Sequence, residues 1–536
     1  MRVYCICLDG APPNLMSRFA RDGTLPNLGK ILSNGSWSRA VPSLPTVTSV
    51  NWTTMVTGLH CGSHGRPHSN RPVRYFWEAA VEKGIPVGVA NVEHNELGGS
   101  SFFVGHPSTI AGPLTLPVES GGSIEHEILT QEGAKIASLE CTTSGSLEAI
   151  IRGETEAGLS TPRDTMSEFA VFRSEDGIEL CTRLKYIESN SSVYVSPIRK
   201  MRGFAEPHDI EDELLRIAGP PPVKGFPLFH HGKADLDTAI EEETHHARWF
   251  GRIAAGMMAK HEDSLWFHRH NTTDGIGHYY LGLVDERAYC YHREALDSNW
   301  DALRRWYRTL DLILGEIMEA DPDAKFAMCT DHGHVGYGRL VSLAKLLVDQ
   351  GLAKTHPRRP MTLDPEGSKV WVSAEEIFVN KNLVKGDGEY EEVRDRVIQA
   401  LRGLVDPDNS RQPVALAIRR EDAQCLSFWG GMRGDVIFLL DGGYFAIPFV
   451  TEDVFKQFEV PTNSSVHHGC FPGHETDVGS TFSFMAYSVH PGGERDISDG
   501  GAPHLVDFAP TVLAMLGVSD PGLQGRVLWD MIGLDQ

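Results

Sequence analysis

The sequence predicts an α/β fold in which helices cover a mainly parallel sheet. Two observations indicate it: short, unbroken apolar segments alternate with helical patterns, and several of these segments end in Asp or His residues. Unbroken apolar runs are typical of parallel strands that are buried on both faces. Strands that alternate with helices along the chain are typical of a doubly wound sheet.

Residues 1–97 contain the clearest alternation. Val3–Leu8 is apolar and leads through Asp9 and Gly10 into a helical pattern. The remaining predicted elements of this range are the helix Pro13–Ala20, the strand Trp37–Pro42, the helix Ser49–Thr57, the helix Tyr75–Lys83 and the strand Ile85–Val92. We therefore interpret residues 1–97 as the first part of a core domain.

Residues 98–204 have a different pattern. Segments of alternating polarity replace the helices, and Gly, Ser and Thr separate them. Alternation with a period of two is typical of strands with one buried face. The predicted strands are Ser138–Cys141, Glu148–Arg152, Glu168–Arg173, Glu179–Leu184 and Ser192–Ser196. We interpret this range as a β-rich insertion.

Helical patterns return in residues 205–355, which we interpret as the second part of the core. Asp235–His261 has the apolar spacing of a long amphipathic helix, and Tyr289–Ala320 is also predicted to be helical. Leu265–His268 and Lys325–Met328 are predicted strands, and each is followed by a group of Asp and His residues.

Residues 356–465 mix both patterns and are interpreted as a smaller, cap-like α+β insertion, whereas residues 466–536 return to the core pattern. The predicted elements of these two ranges are the helix Tyr390–Leu404, the strands Val414–Arg419 and Asp435–Leu440, the strand Thr481–Ser488 and the helix His504–Leu516.

The composition is that of a soluble globular protein, because 41% of the 536 residues are hydrophobic and 23% are charged. The net charge is 49 − 72 = −23. Such a charge opposes binding to nucleic-acid polymers and to anionic membranes. It leaves room for a small anionic substrate held by a bound metal, since a metal dominates its local field.

The N-terminus and the cysteines predict a cytoplasmic protein. The apolar run Val3–Cys7 has five residues and is too short for the core of a signal peptide. No stretch approaches the roughly 18 apolar residues that a membrane span needs. The nine cysteines are an odd number and are widely scattered, which favours reduced thiols.

Four separate places carry Asp or His next to an apolar strand. In an open α/β sheet, ligands gather at the carboxyl ends of the strands, so residues far apart in sequence can converge there. Taken alone, each place has a structural explanation, because an Asp after a strand often caps a helix. The candidates are Asp9, the pair Asp274 and His278, the pair Asp331 and His332, and the histidines His467, His468 and His474.

A candidate nucleophile lies in the segment PSLPTVTSVNWTTMVTG. Thr48 is followed three residues later by Asn51 and ten residues later by Gly58. Thr48 could also be a helix N-cap, since hydroxyl side chains are common at that position.

Together these motifs resemble the alkaline phosphatase superfamily, in particular its type I phosphodiesterase/nucleotide pyrophosphatase branch. The resemblance spans both ends of the chain and skips the two insertions. The matching motifs are Asp9-Gly10 after the first strand, Thr48 with Asn51 and Thr54–Gly58, Asp274-x-x-x-His278, Asp331-His332-Gly333, and Asp507-x-x-Pro510-Thr511-x-Leu513.

The resemblance implies a three-layer sandwich and two divalent transition-metal ions, with zinc expected and manganese possible. It implies that Asp274, His278 and a C-terminal histidine bind one metal. We expect that histidine to be His474, with His468 as the alternative. The second metal would be bound by Asp9, Asp331 and His332, with Thr48 between metal and substrate. Thr48 would attack phosphorus and form a phospho-threonine intermediate, and the Asn51 amide would donate to a non-bridging oxygen of the substrate.

The predicted function is hydrolysis of phosphodiester or phosphoanhydride bonds in small molecules, with a small anionic phosphate ester as the binding partner. A phosphomonoesterase or a phosphonate (C–P) hydrolase of the same superfamily is the alternative. A non-catalytic binding protein is a third hypothesis, against which the complete ligand set weighs. The sulfatase pattern C-x-P-x-R is absent, because the segment Cys61–Gly65 has neither the Pro nor the Arg.

Overall fold

A computed structural model describes residues 1–69, 72–92, 98–373, 375–427, 433–456, 466–471, 473–495 and 501–534. The chain divides into two compact units. The first unit contains residues 1–4, 86–268 and 305–324, and the second contains residues 5–85, 269–304 and 325–536.

The α-helices of the described residues are distributed over the whole chain. In chain order they are α1 Pro13–Arg21, α2 Pro26–Asn34, α3 Thr48–Thr57, α4 Cys61–His64, α5 Trp77–Glu82, α6 Glu211–Ala218, α7 Gly225–His230, α8 Leu236–Met258, α9 Thr272–Ile276, α10 Gly282–Val284, α11 Leu296–Ala320, α12 Leu343–Asp349, α13 Gly386–Arg402, α14 Phe508–Met515 and α15 Trp529–Ile532.

The strands of the first 206 residues are β1 Arg2–Leu8, β2 Ser36–Ala40, β3 Val87–Ala90, β4 Phe102–Val104, β5 Thr109–Ala111, β6 Leu114–Pro117, β7 Ser123–Leu129, β8 Lys135–Thr142, β9 Ser146–Arg152, β10 Glu156–Pro162, β11 Ala170–Arg173, β12 Glu179–Thr182, β13 Leu184–Ile187, β14 Ser192–Val195, β15 Ile198–Lys200 and β16 Ala205–Glu206.

The later strands are β17 Ser264–His270, β18 Lys325–Thr330, β19 Val335–Gly336, β20 Arg339–Ser342, β21 Thr355–His356, β22 Arg359–Leu363, β23 Val370–Ser373, β24 Glu376–Val379, β25 Val414–Arg419, β26 Val436–Leu440, β27 Tyr444–Ile447, β28 Phe455–Lys456, β29 Val466–His467, β30 Ser483–Tyr487 and β31 Gly493–Glu494.

The first unit combines a mainly parallel strand run with antiparallel sheets. In the order β16-β4-β3-β17, the strands β17, β3 and β4 are parallel and β16 is antiparallel to β4. The antiparallel sheets have the orders β10-β9-β8-β7, β11-β12-β15-β5 and β13-β14-β6. Their inner faces bury apolar side chains such as those of Leu139, Ile151 and Val193.

The second unit contains the strand order β18-β30-β2-β31. Strand β30 is antiparallel to both β18 and β2, and Ser38 of β2 pairs with Met485 of β30. Strands from the beginning and the end of the chain therefore lie in the same unit. A four-stranded antiparallel sheet, β23-β24-β26-β25, packs against α13 and has its own apolar core.

The α/β class with a mainly parallel sheet is confirmed, as is the β-rich character of the first insertion. The helix predicted over residues 289–320 begins only at Leu296. The backbone N–H of Tyr289 donates to the carbonyl of Tyr337 at 3.0 Å, so the preceding segment is bound to another loop instead of to a helical turn. The predicted boundaries at residues 97 and 465 lie outside the described residues.

Among the helices that the structure describes, none combines the length and the apolar character that crossing a membrane requires.

Candidate active site

The candidate residues lie just after strands or at the start of helices. Asp9 directly follows β1, and Asp331 directly follows β18. Thr48 is the first residue of α3, and Asp274 lies in α9, which follows β17. His278 lies in the next turn, Gly277–Leu281, which is π-helical. Short π-helical turns are frequent at functional sites.

Asp9, Asp331 and His332 form a carboxylate-rich cluster. Nε2 of His332 lies 3.6 Å from Oδ1 of Asp9 and 3.3 Å from Oδ2 of Asp331. Oδ1 of Asp331 accepts hydrogen bonds from the backbone N–H groups of Gly10 and His332, whereas its Oδ2 has no hydrogen-bond partner. All three side chains are buried, so three potential donor groups converge away from solvent.

His332 is neutral, and its free electron pair faces the cluster. Burial lowers the pKa of His332 to about 3. Its Nδ1 lies 3.1 Å from the carbonyl oxygen of Gly333, which can only accept, so Nδ1 carries the proton and Nε2 the electron pair. Burial, with the neighbouring charge of Asp274 adding to it, raises the pKa of Asp9 to about 6, and burial raises the pKa of Asp331 well above its usual range.

Arg269 holds the second oxygen of Asp9. Its Nη2 donates to Oδ2 of Asp9 at 2.9 Å, and its guanidinium group lies 4.4 Å from the ring centroid of Trp52. Arg269 is buried, and its charge lowers the pKa of Asp9 against the effect of burial. The ion pair leaves Oδ1 of Asp9 directed at His332 and Thr48.

The hydroxyl group of Thr48 lies at the edge of the carboxylate-rich cluster. Its Oγ1 is 3.1 Å from Nε2 of His332 and 3.4 Å from Oδ1 of Asp9. Val47 is the N-cap of α3, and no side chain caps this helix. The capping explanation for Thr48 is therefore wrong, and its hydroxyl is directed at the cluster instead.

The neighbouring threonine hydroxyls have backbone partners. Oγ1 of Thr53 donates to the carbonyl of Ser49 at 2.8 Å, as expected inside a helix. Oγ1 of Thr46 donates to the carbonyls of His468 and Cys470. Thr46 therefore fixes the chain segment that carries His468.

A second group, the imidazole-rich cluster, consists of Asp274, His278, His334 and His468. Each residue offers one ligand atom, and these four atoms lie within 4.8 Å of one another. Oδ1 of Asp274 is 3.5 Å from Nε2 of His278 and 3.2 Å from Nε2 of His334.

The three histidines of this cluster share one orientation. In each, Nδ1 faces a backbone carbonyl and therefore carries a proton, so that Nε2 is the ring atom directed at the cluster. The carbonyls are those of Val466 for His278 at 3.2 Å, Thr46 for His468 at 2.6 Å, and Gly10 for His334. Burial lowers the pKa of His278 to about 4 and that of His468 well below its usual range, so both rings are neutral at pH 7.

The two clusters are adjacent. The rings of His332 and His468 are stacked with centroids 3.9 Å apart, and the ring of His334 lies 5.4 Å from that of His332. An antiparallel pairing aligns these segments, because Val335 of β19 is opposite His467 of β29. His334 and His468 are the next residues outward on the two strands.

The structure corrects the expected role of Asn51. This residue is fully buried, and its side chain is bound to the backbone of the loop before α3. Its Oδ1 accepts from the N–H of Ser43 at 2.6 Å, and its Nδ2 donates to the carbonyls of Ser43, Pro45 and Val47 at 3.1 to 3.3 Å. Because both ends of the amide are engaged, Asn51 holds the loop and does not face a substrate.

The structure also corrects the choice of the last histidine. Nδ1 of His474 lies 3.1 Å from Oδ1 of Asp441, outside both clusters, and this contact lowers the pKa of Asp441. The alternative, His468, lies in the imidazole-rich cluster instead. The sequence could not separate the two, because both precede β30 in a loop whose pairing with β19 has no sequence signature.

His334 was missed by the sequence analysis. It stands two residues after His332, and residues two apart share a face of an extended chain. The two-residue spacing from His332 is therefore the sequence signal that could have identified His334, whose ring lies 5.4 Å from that of His332.

The donor sets fit divalent cations. In both clusters imidazole nitrogen and carboxylate oxygen atoms converge, in a buried space around Asp331 and a half-buried one around Asp274, and Oδ2 of Asp331 has no hydrogen-bond partner. Neutral imidazole and carboxylate groups are the usual protein ligands of zinc, and carboxylate-rich sites also accept manganese. A cation between Asp9 and Asp331 would stabilise the ionised form of both carboxylates, which burial disfavours.

The first part of the chain is similar to a known protein family. The sequence profile of the family "Type I phosphodiesterase / nucleotide pyrophosphatase" matches residues 3–68, a range that includes Asp9 and Thr48. No curated protein matches the chain.

Several solved structures resemble the whole chain. A mutant of the alkaline phosphatase PafA has a TM-score of 0.52 at 10% identity, with 99% of each chain covered. Phosphonoacetate hydrolase from Sinorhizobium meliloti has a TM-score of 0.50 at 11% identity, covering 96% of this chain and 95% of the other. Murine ectonucleotide pyrophosphatase/phosphodiesterase 5 has a TM-score of 0.44 at 12% identity, with 100% of both chains covered.

Proposed function

We propose that the chain is a two-metal hydrolase of phosphodiester or phosphoanhydride bonds in small molecules, with Thr48 as the nucleophile. Its likeness in fold to an alkaline phosphatase and the match of residues 3–68 to the type I phosphodiesterase family support a phosphoester hydrolase. One observation carries this proposal: the hydroxyl of Thr48 lies 3.1 Å from His332 and 3.4 Å from Asp9, beside two adjacent groups of metal-ligating side chains.

Two cation sites follow from the two clusters. Asp9, Asp331 and His332 would hold one cation next to Thr48, and the imidazole-rich cluster would hold the other. When bound, two divalent cations about 4 Å apart polarise a phosphoryl group and stabilise the charge that builds on it. Zinc is the expected ion, since neutral imidazole and carboxylate suit it.

The residues of the chain supply the nucleophile and its orientation. The helix start at Thr48 fixes the side-chain direction, and the Arg269 ion pair keeps Oδ1 of Asp9 on the same side. Thr48 attacks phosphorus, the leaving group departs, and Thr48 carries the phosphoryl group until water releases it. A free Thr hydroxyl is a weak nucleophile and needs activation. A cation held by the carboxylate-rich cluster next to Thr48 would supply that activation.

The preference for diesters rests on the family match and on the charge of the site. The matching family is that of type I phosphodiesterases and nucleotide pyrophosphatases. A diester carries one negative charge fewer than a monoester and needs fewer cationic side chains. Arg269, a buried cation of this site, already pairs with Asp9.

A substrate panel tests this proposal. The purified chain, depleted of metal and then reloaded with zinc or manganese, is assayed on bis-p-nitrophenyl phosphate, p-nitrophenyl phosphate and a phosphonate. We expect the diester to be the best substrate and a chelator to abolish turnover. Preference for the monoester or the phosphonate would replace the diesterase assignment, and no turnover of any substrate by the metal-loaded chain would favour a binding protein.

Trapping the intermediate tests the nucleophile separately. Acid quenching during turnover should leave a phosphoryl group on the peptide that contains Thr48, detected by mass spectrometry. A protein that turns over rapidly but never carries this modification would use direct attack by water.

A further inference from the structure

His334 is built into the imidazole-rich cluster. It is fully buried, and its Nε2 lies 3.2 Å from Oδ1 of Asp274. Its Nδ1 contacts the carbonyl of Gly10, as the Nδ1 atoms of His278 and His468 contact other carbonyls. With Nδ1 at a backbone carbonyl, Nε2 is the ring atom that faces Oδ1 of Asp274, the same carboxylate oxygen that Nε2 of His278 approaches at 3.5 Å.

Two glycines leave room for this ring. A Cβ atom at Gly10 would lie 2.3 Å from Cε1 of His334, and a Cβ at Gly277 would lie 2.8 Å from its Nδ1. Gly277 has φ −57°, which any residue adopts in a helix. Glycine at this position therefore provides the space that the ring of His334 occupies, and the backbone conformation does not require it.

We infer that His334 is a fourth ligand of the metal site formed by Asp274, His278 and His468. This inference rests on the proposed function only in requiring that the clusters bind cations. The imidazole-rich site then has four protein donors, whereas the carboxylate-rich site has three besides the Thr48 hydroxyl. Four protein ligands close a tetrahedral zinc site, and three leave a position open, as a catalytic site requires.

The two sites consequently differ in affinity and in metal preference. Three imidazoles and one carboxylate favour zinc, while two carboxylates and one imidazole accept manganese more readily. The imidazole-rich site should retain its zinc during mild chelation that empties the site next to Thr48. The cation at the carboxylate-rich site would then be the one with an open coordination position for the reacting phosphoryl group.

Metal titration of the full-length chain tests this inference without measuring turnover. The metal-depleted protein is titrated with zinc against a chromophoric chelator, and cobalt(II) is added in a parallel experiment to record the visible absorption. We expect two classes of zinc site in the wild type and an intense cobalt spectrum of a four-coordinate ion. In His334→Ala and His334→Gln the tight class should weaken by at least about 100-fold, because the loss of an outer partner alone costs 10–100-fold.

Two further variants complete the design. Gly277→Ala should weaken the same class by crowding the ring of His334, although it removes no ligand. His474→Ala is the matched control, since His474 contacts Asp441 outside the clusters and its loss should change neither affinity nor spectrum. Folding of every variant is checked by circular dichroism, and if His334→Ala does not fold, His334→Gln and Gly277→Ala decide.

The outcomes separate this inference from the proposed function. An unchanged tight class and an unchanged cobalt spectrum in the folded His334 variants would overturn the role of His334 and leave the two-metal proposal in place. A wild-type chain that binds no divalent cation would overturn both. Tight zinc binding that depends on His334, in a protein without hydrolase activity, would support His334 as a ligand and refute the proposed function.

Discussion

Thr48 is the residue on which the proposed reaction depends. Replacing it with Ala removes the hydroxyl beside His332 and Asp9 while all the carboxylate and imidazole groups remain. We expect turnover of bis-p-nitrophenyl phosphate to fall by at least about a thousandfold, equivalent to roughly 4 kcal/mol. Elemental analysis should still find two metal ions per chain.

Thr53 provides the control for that substitution. It lies on the same helix, and its hydroxyl donates to the carbonyl of Ser49, so Thr53→Ala should keep turnover near that of the wild type. If Thr48→Ala retains more than about a tenth of the wild-type turnover, direct attack by water becomes the better mechanism.

Arg269 is predicted to set the pH range in which Asp9 binds a cation. Its charge and hydrogen bond lower the pKa of Asp9, so without Arg269 less would oppose the effects of burial and of the charge of Asp274. Protons compete with cations for a carboxylate. In Arg269→Met, we therefore expect the pH at which half of the more weakly held metal dissociates to move upward, as measured by equilibrium dialysis at graded pH.

The matched control is Arg304→Met, because Arg304 pairs with Asp22 at 3.5 Å and stacks near Trp300, away from the clusters. An identical dissociation profile for Arg269→Met and the wild type would show that Arg269 does not act on Asp9.

Site residues that belong to a short sequence motif could be predicted from the sequence. Asp9, Thr48, Asp274 and His332 stand at fixed distances from strand ends or from one another, and the structure brings them together. The fate of a loop histidine depends on tertiary pairing instead. His468 directly follows β29, which pairs with β19, and this pairing brings it to the site. His474 lies outside this pairing and contacts Asp441 instead.

The element that presents Thr48 is the loop of residues 43–47 followed by α3. Asn51 holds this loop through hydrogen bonds to the backbone of Ser43, Pro45 and Val47. Thr46 in turn binds both the carbonyl and the imidazole of His468. The same short loop therefore positions the nucleophile and one metal ligand.

Replacing Asn51 with Ala is consequently predicted to destabilise the fold. Buried backbone groups of the loop would lose their partner, which costs about 1–3 kcal/mol. We expect a lower thermal midpoint together with weaker zinc binding, because His468 depends on the loop.

Asn34→Ala serves as the comparison, since the Asn34 amide is exposed and bonds only to Lys30 within its own helix. A variant of Asn51 with unchanged stability but strongly reduced turnover would argue for the substrate contact that the sequence resemblance implied.

Strands and helices were predictable where local pattern and tertiary environment agree. Val414–Arg419 has the predicted bounds, and the helix predicted over 235–261 is observed as Leu236–Met258. The prediction failed over residues 289–295, where a backbone hydrogen bond joins Tyr289 to Tyr337 instead of closing a helical turn. Such a bond joins residues far apart in sequence and leaves no local signal.

At the scale of the whole molecule, the clusters and Thr48 all belong to the second unit. Their residues come from chain positions between 9 and 468, so a compact unit with strands from both ends of the chain is needed to assemble them. None of the eight cysteines whose side chains are described forms a disulfide, and all eight are buried. The cytoplasmic location and the absence of binding to nucleic-acid polymers and membranes stay predictions.

The first unit is expected to be sensitive to acid because it buries neutral histidine. His268 is fully buried, its ring lies 5.0 Å from that of Phe250, and burial lowers its pKa to about 3. In the unfolded chain the pKa of histidine is about 6.5. The unfolded state therefore binds a proton between pH 6.5 and 3 that the folded state does not bind, so stability is lost as the pH falls through this window.

The size of this effect can be measured on a single variant. From pH 7 to pH 5, one such histidine costs about 2 kcal/mol of folding free energy, since each pH unit within the window costs about 1.4 kcal/mol. His268→Gln has no proton to take up, so its stability, followed by urea unfolding of the first unit, should fall by about that much less over the same range. His231→Gln is the control, because His231 is exposed and solvated in both states. Equal acid dependence of His268→Gln and the wild type would mean that the ring of His268 becomes protonated inside the fold, against the low pKa that its burial predicts.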